Sequence, residues 1–148
     1  MDRNASTSPD DLSVTELPRS LPSAPVVVSV CVNCKTPDGA VVGPALLEAV
    51  TAALDERDVA VMVRPVQCLS VCKRPTTVAV TSQDGYTFLF GDLLPETGSD
   101  AVASFVQSYQ NSDYGLVPWR ERADVLRKGM VARVPPLRWS PEDGRAPK

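Results

Sequence analysis

The chain has 148 residues, 43% of them hydrophobic and 22% charged, which suits one core with tails rather than two domains. A formal net charge of -3 with a pI near 4.9 argues against a nucleic-acid partner, which needs a strongly basic face. The sequence contains no histidine, and this excludes mixed Cys/His zinc sites, Rieske ligation, His-ligated haem and an imidazole base.

Residues 1–25 are rich in serine, proline and aspartate and carry neither the basic start nor the apolar core of a secretory leader. They are expected to form a disordered tail on a cytoplasmic protein. No apolar run approaches the roughly 20 residues that cross a bilayer, so no membrane partner is expected. The run 26–30, Val-Val-Val-Ser-Val, has the β-branched character of a strand buried on both faces, and it ends at Cys31. After a polar loop with Asp38 and Gly39, Pro44 suits the first turn of a helix whose apolar face is Leu47, Val50 and Leu54. Val59, Val61 and Val63 then alternate with Ala60, Met62 and Arg64, the period-two mark of a second strand that delivers Cys68. Strand, helix and strand in this order imply a right-handed crossover with parallel strands, so Cys31 and Cys68 should leave one edge of the sheet.

Residues 76–81 read as a third strand, Ser-Gln-Asp-Gly at 82–85 as a turn, and 86–90 as a fourth strand antiparallel to the third. Tyr86, Phe88 and Phe90 would form one core face of this edge hairpin. Ser99 is expected to cap a second helix that turns Val102, Phe105, Val106 and Tyr109 inward. The order βαβ then ββα is that of a thioredoxin-like α/β fold around a four-stranded mixed sheet, assigned to residues 26–112. Residues 113–138 are expected to form an extension packed on that domain, with a helical stretch over 121–128 stopped by Gly129. Residues 139–148 are expected to be a second disordered tail.

The chemistry is concentrated in four cysteines. In a reducing compartment, Cys31 and Cys34 (C-x-x-C) and Cys68 and Cys72 (C-x-x-x-C) point to metal ligands or redox thiols before structural disulfides. Four thiolates suit tetrahedral zinc and an iron-sulfur cluster alike. The 33 residues between the pairs (35 through 67) exceed the about 15 to 20 usual in zinc ribbons, which favours iron-sulfur over a zinc-stabilised adaptor module. A third reading is a thiol-disulfide oxidoreductase using Cys31 and Cys34. Against it, Pro44 starts the helix well after Cys34, so no helix terminus would lower the thiol pKa. The plainest alternative is four inert core cysteines.

With one cysteine pair after the first strand and Cys68-Leu-Ser-Val-Cys72-Lys-Arg-Pro75 before the third, the chain resembles the thioredoxin-like 2Fe-2S ferredoxins. The first pair is closer together than in the better-studied members. Within that superfamily, the span from Val26 to about Leu137 is similar to a bacterial family of predicted metal-binding proteins of unknown function (domain of unknown function 1636). Its marks here are Val30-Cys31-x-x-Cys34, the second motif just quoted, Phe90-Gly91-Asp92 at the end of an aromatic strand, and Gly115-Leu-Val-Pro-Trp-Arg120. The resemblance implies a cluster, 2Fe-2S in type, with Cys31 and Cys34 on one iron and Cys68 and Cys72 on the other. It also implies an electron carrier or a redox- or metal-sensing factor with a redox partner protein, a homodimer, and, through some relatives, a link to cobalt or corrinoid metabolism.

Lys73 and Arg74 follow the last cysteine and could offset the charge of four thiolates, or equally dock an acidic partner. Trp119, Arg120, Arg122, Arg127 and Arg133 could form a docking surface, or a segment that only covers the sheet. No catalytic serine, phosphate-binding loop or paired carboxylate stands out, so substrate turnover is not expected.

Overall fold

The computed structural model describes residues 25–137. The tails expected at 1–25 and 139–148 lie outside the described residues, Pro25 excepted. In chain order the elements are β1 (Val26–Cys31), α1 (Gly43–Glu56), β2 (Met62–Val66), β3 (Val78–Ser82), β4 (Thr87–Phe90), α2 (Pro95–Gln110), α3 (Asp124–Gly129) and β5 (Met130–Val134). Two 3-10 turns, Asp113–Gly115 and Trp119–Glu121, link α2 to α3.

The described strands make one mixed sheet in the order β2-β1-β3-β4-β5. β1 runs parallel to β2, as the crossover requires, and every other pairing is antiparallel. Register places Val28 beside both Val63 and Val80, Val80 beside Phe88, and Phe88 beside Arg133. Alternation along the strands therefore turns Val26, Val28, Val30, Val78, Val80, Phe88 and Phe90 to one buried face. Helices α1 and α2 pack on each other and supply Leu46, Val50, Leu54, Val102, Phe105 and Val106 to the same core. The other face carries small and polar groups that pair across strands: Arg64 Nε donates to Ser29 Oγ at 2.8 Å, and the Thr81 and Thr87 hydroxyls meet at 2.8 Å.

The α/β, thioredoxin-like order is as expected; β3 starts at Val78 rather than 76 and α3 at Asp124 rather than 121, and four further details differ. The sheet has a fifth described strand, because β5, within the expected extension, pairs along β4. β4 is thus internal to the sheet rather than an edge. Strand β2 begins at Met62, not Val59, because Val59 is still bonded to the end of α1, its N–H donating to Leu54 O at 3.0 Å. Val59, Val61 and Val63 nevertheless keep their inward phase and pack against the core. Pro65, which has no N–H to give, is accommodated because β2 is the edge strand. Finally, Ser99 is not a cap. α2 starts four residues earlier with Pro95 in its first turn and Glu96 beside the positive helix end, and Ser99 Oγ bonds back to Pro95 O at 2.7 Å.

At the sheet end away from the cysteines, the buried Tyr109 hydroxyl donates to Tyr86 O at 2.6 Å and lies 3.0 Å from Ser82 Oγ. Burial pushes the phenol above its ordinary value of 10. The folded state thus favours the neutral phenol, and its contribution to stability is present below that value and lost as pH rises through the raised one. Tyr109→Phe should cost about 1 kcal/mol at neutral pH, the net worth of a buried hydrogen bond, and should weaken the alkaline fall in stability. Urea midpoints at neutral and alkaline pH check both; an unchanged neutral midpoint would show that the bond contributes nothing.

Candidate metal centre

Parallel pairing of β1 and β2 brings the cysteines to one sheet end. Cys31 is the last residue of β1 and pairs with Val66, and Cys68 comes two residues after Val66. The strands remain tied beyond the ladder, Val32 N donating to Val66 O at 2.9 Å and Cys31 N to Thr77 O at 3.0 Å. Gln67 presents its carbonyl oxygen 3.7 Å from Cys31 Sγ, so the backbone entering the second cysteine loop touches the first pair.

The first pair is buried. Cys31 and Cys34 are 3% and 6% exposed, their sulfurs are 3.1 Å apart, and Thr77 Oγ1 lies 3.8 Å from Cys34 Sγ. Both are free thiols, as are Cys68 and Cys72. Burial, and then the hydrogen bond with Cys31, pushes the Cys34 thiol up to about 11. An isolated Cys34 is therefore neutral at physiological pH, and a bound cation would be needed to hold it as a thiolate. The loop between Cys34 and α1 folds back on itself through Thr36 N to Ala40 O at 2.9 Å and the Lys35–Val41 bridge. This return closes the sequence gap that argued against a helix terminus near the cysteines. Gly43, the first residue of α1, packs so closely that a Cβ there would collide with Cys31 O and the Val32 backbone. The helix start is thus beside the first pair in space.

The second pair is exposed. Ser70 N–H donates to Cys68 Sγ at 3.2 Å, with Ser70 in the left-handed region at φ 61°, and this bond draws the Cys68 thiol below its ordinary range. The Ser70 and Cys72 side chains act in the same direction. Among the described residues, no set of three or more Cys, Asp or Glu side chains is already gathered around one point. The arrangement is two adjoining pairs, one buried and one open. Four sulfur donors without histidine fit an iron-sulfur cluster or tetrahedral zinc.

The other expected site residues lie elsewhere or are already committed. Lys73 is exposed beside Cys72. Arg74 is bound by Asp92, with Nε 2.9 Å from Oδ2, and by two backbone carbonyls. Trp119 and Arg120 are exposed on the second 3-10 turn. Arg122, expected on a docking surface, is instead 8% exposed; its guanidinium donates twice to Val117 O and sits 5.2 Å over the Phe88 ring and 5.6 Å over that of Trp119. Arg133 stacks over Tyr86 at 5.3 Å. Sequence reasoning missed Thr77, the Gln67 carbonyl, the Ser70 N–H and Gly43. Of these only Gly43, a glycine directly before the helix-starting Pro44, left a signal that could have been read.

The family described as Protein of unknown function (DUF1636) matches residues 28–136. No curated protein sequence matches the chain. Among solved structures, a thioredoxin-like [2Fe-2S] ferredoxin from Aquifex aeolicus is similar at 14% identity and a TM-score of 0.50, covering 79% of this chain and 100% of that one. The wild type thioredoxin-like [2Fe-2S] ferredoxin from Aquifex aeolicus, a crystal structure at 1.5 Å, is similar at 18% identity and a TM-score of 0.48, covering 74% and 99%. The first of these likenesses establishes a thioredoxin-like fold. No described helix is long and apolar enough to cross a membrane.

Proposed function

The chain belongs to the DUF1636 family, and on that premise we propose that it is a small iron-sulfur protein that carries electrons to or from a partner protein. Cys31 and Cys34 would hold one iron and Cys68 and Cys72 the other in a 2Fe-2S cluster, which supplies one-electron transfer when bound. The observation that carries this reading is the delivery of two cysteine pairs to one end of a parallel strand pair, with Gln67 O touching Cys31 Sγ between them. The buried pair anchors the site in the core, and the open pair marks the side a partner can reach. Backbone N–H groups in the second loop, such as that of Ser70, give the sulfurs donors that tune a potential.

A dithiol enzyme is less well served by this geometry. Its attacking sulfur must reach a substrate disulfide, whereas Cys31 is buried despite standing beside the start of α1. Anaerobic reconstitution with ferrous iron and sulfide tests the proposal. The expected product is coloured, contains about two irons and about two sulfides per chain, and gives a paramagnetic resonance signal on reduction. A colourless protein that keeps a single zinc after this treatment would overturn it in favour of a zinc module.

A further inference from the structure

The residue two positions beyond the last cysteine has an unusual set of partners. Arg74 Nε donates to Asp92 Oδ2 at 2.9 Å, Nη1 to Met130 O at 3.0 Å and Nη2 to Lys128 O at 2.7 Å. Its own backbone continues the junction, the N–H donating to Val71 O at 3.0 Å inside the cysteine loop and the carbonyl accepting from Asp92 N at 2.9 Å. Beneath it the chain segments meet backbone to backbone: Gly91 N donates to Gly129 O at 2.7 Å, and a Cβ on Gly129 would collide with Gly91 O. One side chain thus ties the loop carrying Cys68 and Cys72 to the turn after β4 and to the α3–β5 junction.

We propose that Arg74 is a positioning residue for the metal centre, and that through it the C-terminal extension clamps the exposed Cys68–Cys72 loop in place. This inference rests on the reading of the cysteines as cluster ligands. The loop's upstream end is held by the β1–β2 ladder, continued in Val32 N to Val66 O; its downstream end is held by main-chain bonds at Arg74 O, Thr76 O and Thr77 O and, on the side of the extension, by the Arg74 side chain. The guanidinium charge is matched by Asp92, so its work here is geometric rather than a neutralisation of thiolates. A planar fork of five donors meets three acceptors at fixed angles, which a lysine ammonium cannot reproduce.

The test compares full-length wild type, Arg74→Ala, Arg74→Lys and Tyr109→Phe, the last a destabilised control at the opposite end of the sheet. Two readouts are used: the rate at which EDTA bleaches the reconstituted cluster, and hydrogen exchange of amides 68–74 in metal-free protein. Cluster loss should be about 10- to 100-fold faster in Arg74→Ala, the range for groups that support ligands without touching the metal. Arg74→Lys should lie nearer to Arg74→Ala than to wild type, and Tyr109→Phe should match wild type. Exchange over 68–74 should rise in both Arg74 variants and not in Tyr109→Phe. An unchanged bleaching rate in Arg74→Ala, full rescue by lysine, or equal acceleration in Tyr109→Phe would overturn the clamp. If wild type takes up no cluster, the ligand reading falls, and the exchange measurement decides the clamp alone: equal exchange over 68–74 in wild type and Arg74→Ala overturns it.

Discussion

Cys72→Ser should fold as the parent does and fail to hold a normal cluster. Cys72 is exposed and makes no core contact, so the metal-free variant should melt within about 0.5 kcal/mol of the metal-free parent, as surface substitutions do. A serine hydroxyl is a poor substitute for thiolate as an iron ligand, and removing one of four sulfurs leaves an incomplete set. Visible absorption and iron content after anaerobic reconstitution should fall far below the parent's. Retention of the parent spectrum would remove Cys72 from the ligand set. Since metal binding can contribute on the order of 10 kcal/mol to folding in small structural sites, the reconstituted parent should also melt well above its metal-free form, and Cys72→Ser should lose most of that gain.

Phe88→Ala should cost about 3 to 5 kcal/mol, a large share of the roughly 5 to 15 kcal/mol available to a domain. Phe88 is fully buried and central to the aromatic cluster, with ring centroids 5.0 Å from Phe105, 6.1 Å from Tyr109 and 6.2 Å from Phe90. The Arg122 guanidinium lies over its face, so truncation also removes a cation–π partner from a buried charge. The loss should appear as a lower urea midpoint with an unchanged slope. A cost below about 1 kcal/mol would mean that the site collapses around the missing ring and that the cluster is not the centre of the core.

The strand–helix–strand order was legible because its signals are local: the valine run at 26–30, Pro44 at the start of a helix, and the valine alternation after it. Tyr86, Phe88 and Phe90 were placed correctly in the core by period alone. Less was legible where tertiary pairing sets the boundaries. The sequence 130–134, Met-Val-Ala-Arg-Val, has strand character, yet only the free side of β4 makes it a fifth strand. Ser99 resembled a cap because serine is a favoured N-cap and an apolar helical face follows it, whereas the helix starts at Pro95, four residues before it. Arg122 looked like a surface charge; two bonds to Val117 O and two flanking rings make burial tolerable.

By itself, the sequence determined the donor chemistry of the candidate site. Four cysteines in two close pairs and a total absence of histidine leave sulfur as its characteristic ligand, whatever the fold does. Only the tertiary structure decided that one pair is buried and the other open, that α1 begins against Cys31 although eight residues separate Gly43 from Cys34, and that Arg74 is spent on the extension. Those outcomes depend on contacts between segments far apart in the chain, where no local pattern records which partner each group will meet.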